Sequence, residues 1–205
     1  MMLEMGGYVE KALQCVSQGL TRRDQSQFTE VHEIENLIND LQIKIDESCL
    51  QILAKQGPFA RELRLILSII KINTDLERMG DQCVNIAYIG RDFLSRKATI
   101  SFQDLETMVT TVKAMIKGSL DSFVKMDTVA AKKILEMDDV VDELKNKVYR
   151  ESIERTKKDP EFVENYLDHI LVARNLERLG DHATNIAEGV IFAFTGKDIR
   201  HGASE

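Results

Sequence analysis

The sequence predicts an all-α fold of two pseudo-symmetric three-helix bundles, six helices in all. Three observations predict it. Helical periodicity runs through nearly the whole chain. Breakers are scarce, with two prolines and eleven glycines among 205 residues. The stretch "DLERMGDQCVNIAYI", Asp75 to Ile89, also returns at Asn175 to Gly189 as "NLERLGDHATNIAEG". Two copies are too few for a solenoid and suit a pair of matched bundles.

The first helix is expected over roughly 3–20, ending at a polar turn, Thr21 to Asp24, where Arg22 and Arg23 are solvated. The second runs over roughly 25–55 and stops at Gly57-Pro58. That proline also opens the third helix, roughly 59–95, at a position that tolerates its missing N–H. Lys97 to Ser101 is a link, and Ser101 with Asp104 reads as the capping box of a fourth helix, roughly 102–125. Asp127 caps the fifth, roughly 128–157, and Asp159-Pro160 starts the sixth, roughly 161–194. The first repeat is therefore 1–96 and the second 101–196, with 197–205 a C-terminal tail. The repeat extends beyond its opening motif. "EIENLINDL" from Glu33 aligns with "EMDDVVDEL" from Glu136, setting Glu35 over Asp138 and Asn39 over Asp142.

Composition excludes several classes. A 43% hydrophobic, 30% charged chain folds rather than remaining disordered. A net charge of −7 argues against nucleic-acid binding, which needs a basic surface. No apolar run is long enough to span a bilayer, and Met1 to Glu10 lacks the features of a secretory leader, so a soluble protein with no direct membrane insertion is expected. Cys15, Cys49 and Cys83 lie far apart without metal-ligand spacing and read as reduced, packed thiols.

The acids of the repeated stretch are unusual. On a helical wheel of the third helix, Arg61, Arg64, Lys71, Asp75, Arg78 and Gln82 gather on one side, opposite Ile66, Ile69, Ile70, Leu76, Val84 and Ala87. Glu77 breaks the pattern by sharing a sector with Ile66, Ile70 and Val84; Asp81 and Asn85 continue its line. The sixth helix repeats this with Glu177, Asp181 and Asn185. Buried carboxylates one turn apart repel each other and need compensation. Salt bridges, a wet edge, or a bound cation would each supply it. Facing lines on the second and fifth helices, Glu35 with Asn39 and Asp138 with Asp142, add oxygen ligands at the same spacing. Hard oxygens suit magnesium, calcium, manganese or iron. None of the four histidines follows a Glu by three residues, which disfavours a ferritin-like oxidase. There is no phosphate-binding Gly-rich loop and no informatively spaced catalytic triad. Gly80 and Gly180 read as points of close helix approach, and Met79, Met108, Met115 and Met137 as core.

Taken together, "DLERMGD", "NLERLGDHATNIAEG" and the closing "VIFAFTGKDIRH" resemble the PhoU family of bacterial phosphate-uptake regulators. "ILAKQGPFARELRLILSIIKINTDLERMGD" is similar to that family's first-repeat core, "MGGYVEKAL" to its opening helix and "ENLINDL" to its second helix. The resemblance implies a non-enzymatic adaptor that couples the ATPase subunit of a phosphate ABC transporter to a phosphate-sensing histidine kinase, dampening both when phosphate is plentiful. It implies a cytoplasmic protein, held at the inner face of the membrane through its partners, and a homodimer is expected. It also implies a metal cluster of iron, zinc, manganese or magnesium on E/D-x-x-x-D motifs. Glu77 with Asp81, Glu177 with Asp181, and Asp138 with Asp142 match that motif, while Glu35 with Asn39 has an amide in place of the second acid. The alternatives are a carboxylate-bridged metal enzyme and a metal-free helical scaffold.

Overall fold

The structure, a computed structural model, describes residues 1–96 and 103–199. Six long helices account for almost all of them: α1 (Met2–Arg22), α2 (Gln25–Gln56), α3 (Ala60–Ser95), α4 (Gln103–Lys125), α5 (Thr128–Lys158) and α6 (Val163–Thr195). A single 3-10 turn, Pro160–Phe162, leads into α6. Helices α1–α3 form one bundle and α4–α6 the other, and no strand occurs among the described residues.

The two turns between the first helices of each half are built alike. Arg23 and Met126, the only non-glycine residues with positive φ among those described, take φ 54° and 56° at equivalent places. The next residue is an aspartate in both, and its carboxylate accepts from the first N–H groups of the following helix. Asp24 takes Ser26 N at 3.0 Å, and Asp127 takes Val129 N and Ala130 N at 3.0 and 2.9 Å. Arg23 is more than a solvated turn residue: its guanidinium donates to the carbonyls of Leu94 and Arg96 at the end of α3. Those carbonyls lack helical partners, and the arginine satisfies them.

Three sequence expectations need correction. Pro58 lies before Phe59, the residue that caps α3, so its missing N–H falls in the connection and not in the helix's first turn. Asp159 makes no capping hydrogen bond, because the 3-10 turn separates it from α6; it accepts from the Tyr166 hydroxyl at 3.5 Å instead. Gln82, placed on the polar side of α3, is buried. Helix α3 packs against α1, α2 and α6, so its buried arc is wider than one amphipathic face. The expected link from Lys97 to Ser101, with the capping residue Ser101, lies outside the described residues.

Helices α3 and α6 run antiparallel as the central pair. Arg64 lies beside Gly196 at one end, Asp75 meets His182 midway, and Arg96 pairs with Glu164 and Asp168 at the other end. Gly80 and Gly180 sit at matched levels of this pair and admit a neighbouring helix. A Cβ on Gly80 would lie 3.1 Å from Ile38 Cδ1, and one on Gly180 would lie 3.3 Å from Asp138 Oδ1. Cys15, Cys49 and Cys83 are buried free thiols as expected, and Met79, Met108 and Met115 are fully buried, while Met137 is only partly buried against the core.

Phe28 fills the first bundle. Its ring occupies the space that side chains on Gly19 of α1 and Gly90 of α3 would need. At the equivalent places the second half has Ala131, Ser122 and Val190, all buried, so a small residue faces larger ones where the first half has a ring facing glycines. Truncating Phe28 leaves a cavity that backbone-lined walls cannot fill. Phe28→Ala is expected to lower unfolding stability by about 3–5 kcal/mol in denaturant titration, and a loss below about 1 kcal/mol would show that the ring is not the wedge of this bundle.

Candidate metal centre

The acid lines sit along two helix pairs, α2 with α3 and α5 with α6. The structure places them at the rim of each bundle. Glu77, Glu177, Glu35, Asn39, Asp138 and Asp142 are half-buried, while Asp81 and Asp181 are exposed. The reason is visible in their neighbours: of the residues that share the sector of Glu77, Ile66 is buried but Ile70 and Val84 are only partly so. The sector is therefore the edge of the apolar face, where the packed helices still desolvate a carboxylate.

In the second half the acids converge. Burial, then the neighbouring carboxylates Asp181, Asp142, Glu177 and Asp139, push the Asp138 pKa up to about 6. Asp181 is also raised, by burial first and then by Glu177 and Asp142. Gly180 makes this possible, since its missing side chain lets Asp138 close against α6. A lysine enters the group as well. Lys145 Nζ donates to Asp142 Oδ1 at 2.7 Å and to Glu177 Oε1 at 2.8 Å, bridging α5 and α6. Burial draws its ammonium pKa down, but these hydrogen bonds outweigh that effect and leave it above the usual lysine value.

In the first half, burial followed by Asp81 raises the pKa of Glu77, and burial followed by Glu35 raises that of Asp81. Those dependences tie Glu35 on α2 to both acids on α3. Asn39 donates through Nδ2 to Glu35, and its buried Oδ1 has no hydrogen-bond partner. Asn85 and Asn185 leave their lines: Asn85 is exposed, and Asn185 donates to Asp75 Oδ1 at 3.2 Å across the two halves.

The donor set suits a hard divalent cation. It is all oxygen, its like charges raise one another's pKa, and one of its oxygens is buried without a partner. The residues that would hold a cation are Glu35, Asn39, Glu77 and Asp81 in the first half, and Asp138, Asp142, Glu177 and Asp181 in the second. As the side chains are oriented, no three His, Cys, Asp or Glu groups among the described residues form a ready metal cage. Closing one requires side-chain rotation.

Two partners were missed by sequence reasoning. Lys145 had a signal, since it follows Asp142 by three residues, but an exposed-type lysine on an outer helix does not announce its direction. His182, whose Nδ1 lies 2.9 Å from Asp75 Oδ1, joins α6 to α3 beside the acid lines. A groove of about 320 Å³ opens next to this pair, lined by Lys71, Asp75, Arg78, Glu188 and Phe192 among others. Arg78 on its wall is near enough to Glu77 to oppose the rise of that acid's pKa.

The PhoU domain model matches residues 2–89 and 105–190, covering each half in turn. The chain belongs to the PhoU family. A phosphate-specific transport system accessory protein PhoU homologue of Pseudomonas aeruginosa is 35% identical over 98% of this chain and 83% of its own length. A PhoU homologue of Clostridium acetobutylicum is 32% identical over 97% of this chain and 91% of its own. The crystal structure of PhoU from Pseudomonas aeruginosa superposes with a TM-score of 0.92 at 34% identity, covering 96% of this chain and 94% of that one. The phosphate transport system regulatory protein PhoU from Streptococcus pneumoniae gives 0.88 at 26% identity, over 96% and 93%. These PhoU relatives are named as accessory or regulatory proteins, not as enzymes.

The raised acids set a pH dependence. A carboxyl whose folded pKa lies above its unfolded value binds its proton more tightly in the native state, so it favours folding at low pH, and that benefit is lost as pH rises through the folded value. For Asp138 the window runs from the usual aspartate value up to about 6. In chelator at about pH 7.5, Asp138→Asn should therefore be more stable than wild type, by about 1–2 kcal/mol after allowance for solvent screening. At about pH 3, below the unfolded value, the difference should shrink toward zero, because wild-type Asp138 is then protonated in both the folded and the unfolded state. Denaturant titrations at both pH values measure it, and a variant less stable at neutral pH would contradict the electrostatics.

Proposed function

We propose that this chain regulates phosphate homeostasis as a non-catalytic adaptor. In this reading it couples the ATPase subunit of a phosphate ABC transporter to a phosphate-sensing histidine kinase, and represses uptake and phosphate-starvation signalling when phosphate is plentiful. The observation that carries the reading is the likeness to PhoU proteins of the phosphate transport system in sequence and fold over nearly the whole chain. The adaptor works in the cytoplasm as a homodimer and reaches the membrane through its partners. In keeping with this, no helix among the described residues is long and apolar enough to cross a membrane.

The second part of the proposal concerns metal. Glu35, Asn39, Glu77 and Asp81 hold a cation in the first half, and Asp138, Asp142, Glu177 and Asp181 hold one in the second. Iron, zinc, manganese and magnesium are the candidates. A bound cation supplies positive charge to a carboxylate-rich edge and open positions for phosphate oxygens or for a partner's acids. The mutual crowding of the acids around Asp138 and the unpartnered Asn39 Oδ1 support this reading. The ion pairs of Lys145 favour a second reading for the second half alone, in which the acids are scaffold elements neutralised from within the chain.

Deletion of the gene is expected to derepress phosphate-starvation genes at high phosphate; a reporter that stays silent contradicts the adaptor reading. Asp81→Asn and Asp181→Asn should each lower metal content by elemental analysis while circular dichroism stays helical, because each removes one charged oxygen ligand and keeps the side chain's shape. Unchanged metal content in both variants would rule these residues out as ligands.

A further inference from the structure

The two acid lines are equivalent but not equally charged. The alignment that sets Asp138 over Glu35 and Asp142 over Asn39 also sets Lys145 over Gln42. The second half thus has four carboxylates, Asp138, Asp142, Glu177 and Asp181, and one ammonium among them. The first half has three carboxylates, Glu35, Glu77 and Asp81, and two neutral amides. Both carry the same excess of three negative charges. One half reaches it with no ammonium paired to its acids among the described residues, where Arg78 acts on Glu77 only from beyond ion-pair distance, and the other holds an additional acid together with an internal cation.

We propose that Lys145 is a tethered counter-cation of the second acid cluster, and that a divalent cation entering that cluster displaces its ammonium from Asp142 and Glu177. The inference rests on the metal reading of this site. Geometry supports the displacement. Lys145 Nζ takes oxygens from both helices, one from each of the two lines that would supply metal ligands. Two cations cannot share those oxygens at contact distance without strong repulsion. The lysine is also able to leave. Its side chain is 26% exposed and that of Asp142 is 50% exposed, so the flexible stem can swing the ammonium into water. In the first half Gln42 has its backbone carbonyl engaged by Asn73 and contributes no charge. Cation entry there displaces nothing of the kind. Loading the second half therefore releases an amine at the α5–α6 surface, a change the first half does not make.

The test uses the full chain and Mn²⁺ alone. Acylation of lysines by an N-hydroxysuccinimide ester, read by mass spectrometry, should mark Lys145 about threefold or more faster at saturating Mn²⁺ than in chelator, with Lys44 unchanged. In calorimetry, Lys145→Gln should bind Mn²⁺ about tenfold or more tightly at one site and leave the other alone, whereas Gln42→Lys should weaken the other. Mn²⁺ uptake by Lys145→Gln where wild type takes up none supports the inference equally. Mn²⁺ binding to wild type with no change in Lys145 acylation and no gain in Lys145→Gln overturns this inference and leaves the metal reading standing. No uptake by either protein overturns both. The acylation arm uses wild type only, so it decides the matter even if a substitution impairs folding.

Discussion

Asp138, Asp142, Glu177 and Asp181 crowd the edge of a packed helix pair, the first three half-buried and Asp181 exposed. Burial penalises the charge of Asp138, and the neighbouring carboxylates raise that cost, which is why its pKa is pushed up to about 6. Such a group persists only if a proton, an internal cation or an external one answers it. The Lys145 ammonium pairs with acids of the second half, while among the described residues no ammonium pairs with those of the first, where Arg78 acts on Glu77 from farther away. Other features at this edge serve the same arrangement. Gly180 gives Asp138 room, and Asn39 holds Glu35 by its amide nitrogen while leaving an oxygen buried and open.

The antiparallel pair of α3 and α6 puts both edges in one rigid frame. Contacts between the halves bind them along its whole length, from Arg64 beside Gly196, through Asp75 with His182 and Asn185, to Arg96 with Glu164 and Asp168. The Asp75 cluster is the nearest of these to the acid lines, since His182 follows Asp181 directly and Asp75 precedes Glu77 by two residues. A change of charge at either edge is thus close to the contact that joins the bundles. The repeat preserves backbone solutions, such as the left-handed Arg23 and Met126, more faithfully than it preserves packing. Phe28 between glycines in one half, and Ala131 near Val190 in the other, fill equivalent space by different means.

Much of this was legible in the sequence. The number, order and approximate bounds of the helices follow from periodicity and caps, because long helices with few breakers leave little else to decide. The repeat exposed the acid lines, since a departure from the apolar pattern that recurs in both halves stands out from one that occurs once. The wheel failed where tertiary packing widens a buried arc, as at Gln82, and where an edge is mistaken for a face, as at Asp81 and Asp181. The contacts that Arg23, Lys145 and His182 make across helices were illegible for a common reason. Each acts on a different helix from its own, and no local period encodes where a long polar side chain ends.

The central claim is that the recurring acids are arranged for cations and are not merely tolerated at a bundle edge. Diffraction from crystals equilibrated with Mn²⁺, recorded at the manganese absorption edge, tests it most directly. The account predicts anomalous density in each half, among Glu35, Asn39, Glu77 and Asp81 and among Asp138, Asp142, Glu177 and Asp181, with the Lys145 ammonium turned away from Asp142 and Glu177. Absence of anomalous density at both edges, with Lys145 still bridging the two acids, would contradict it.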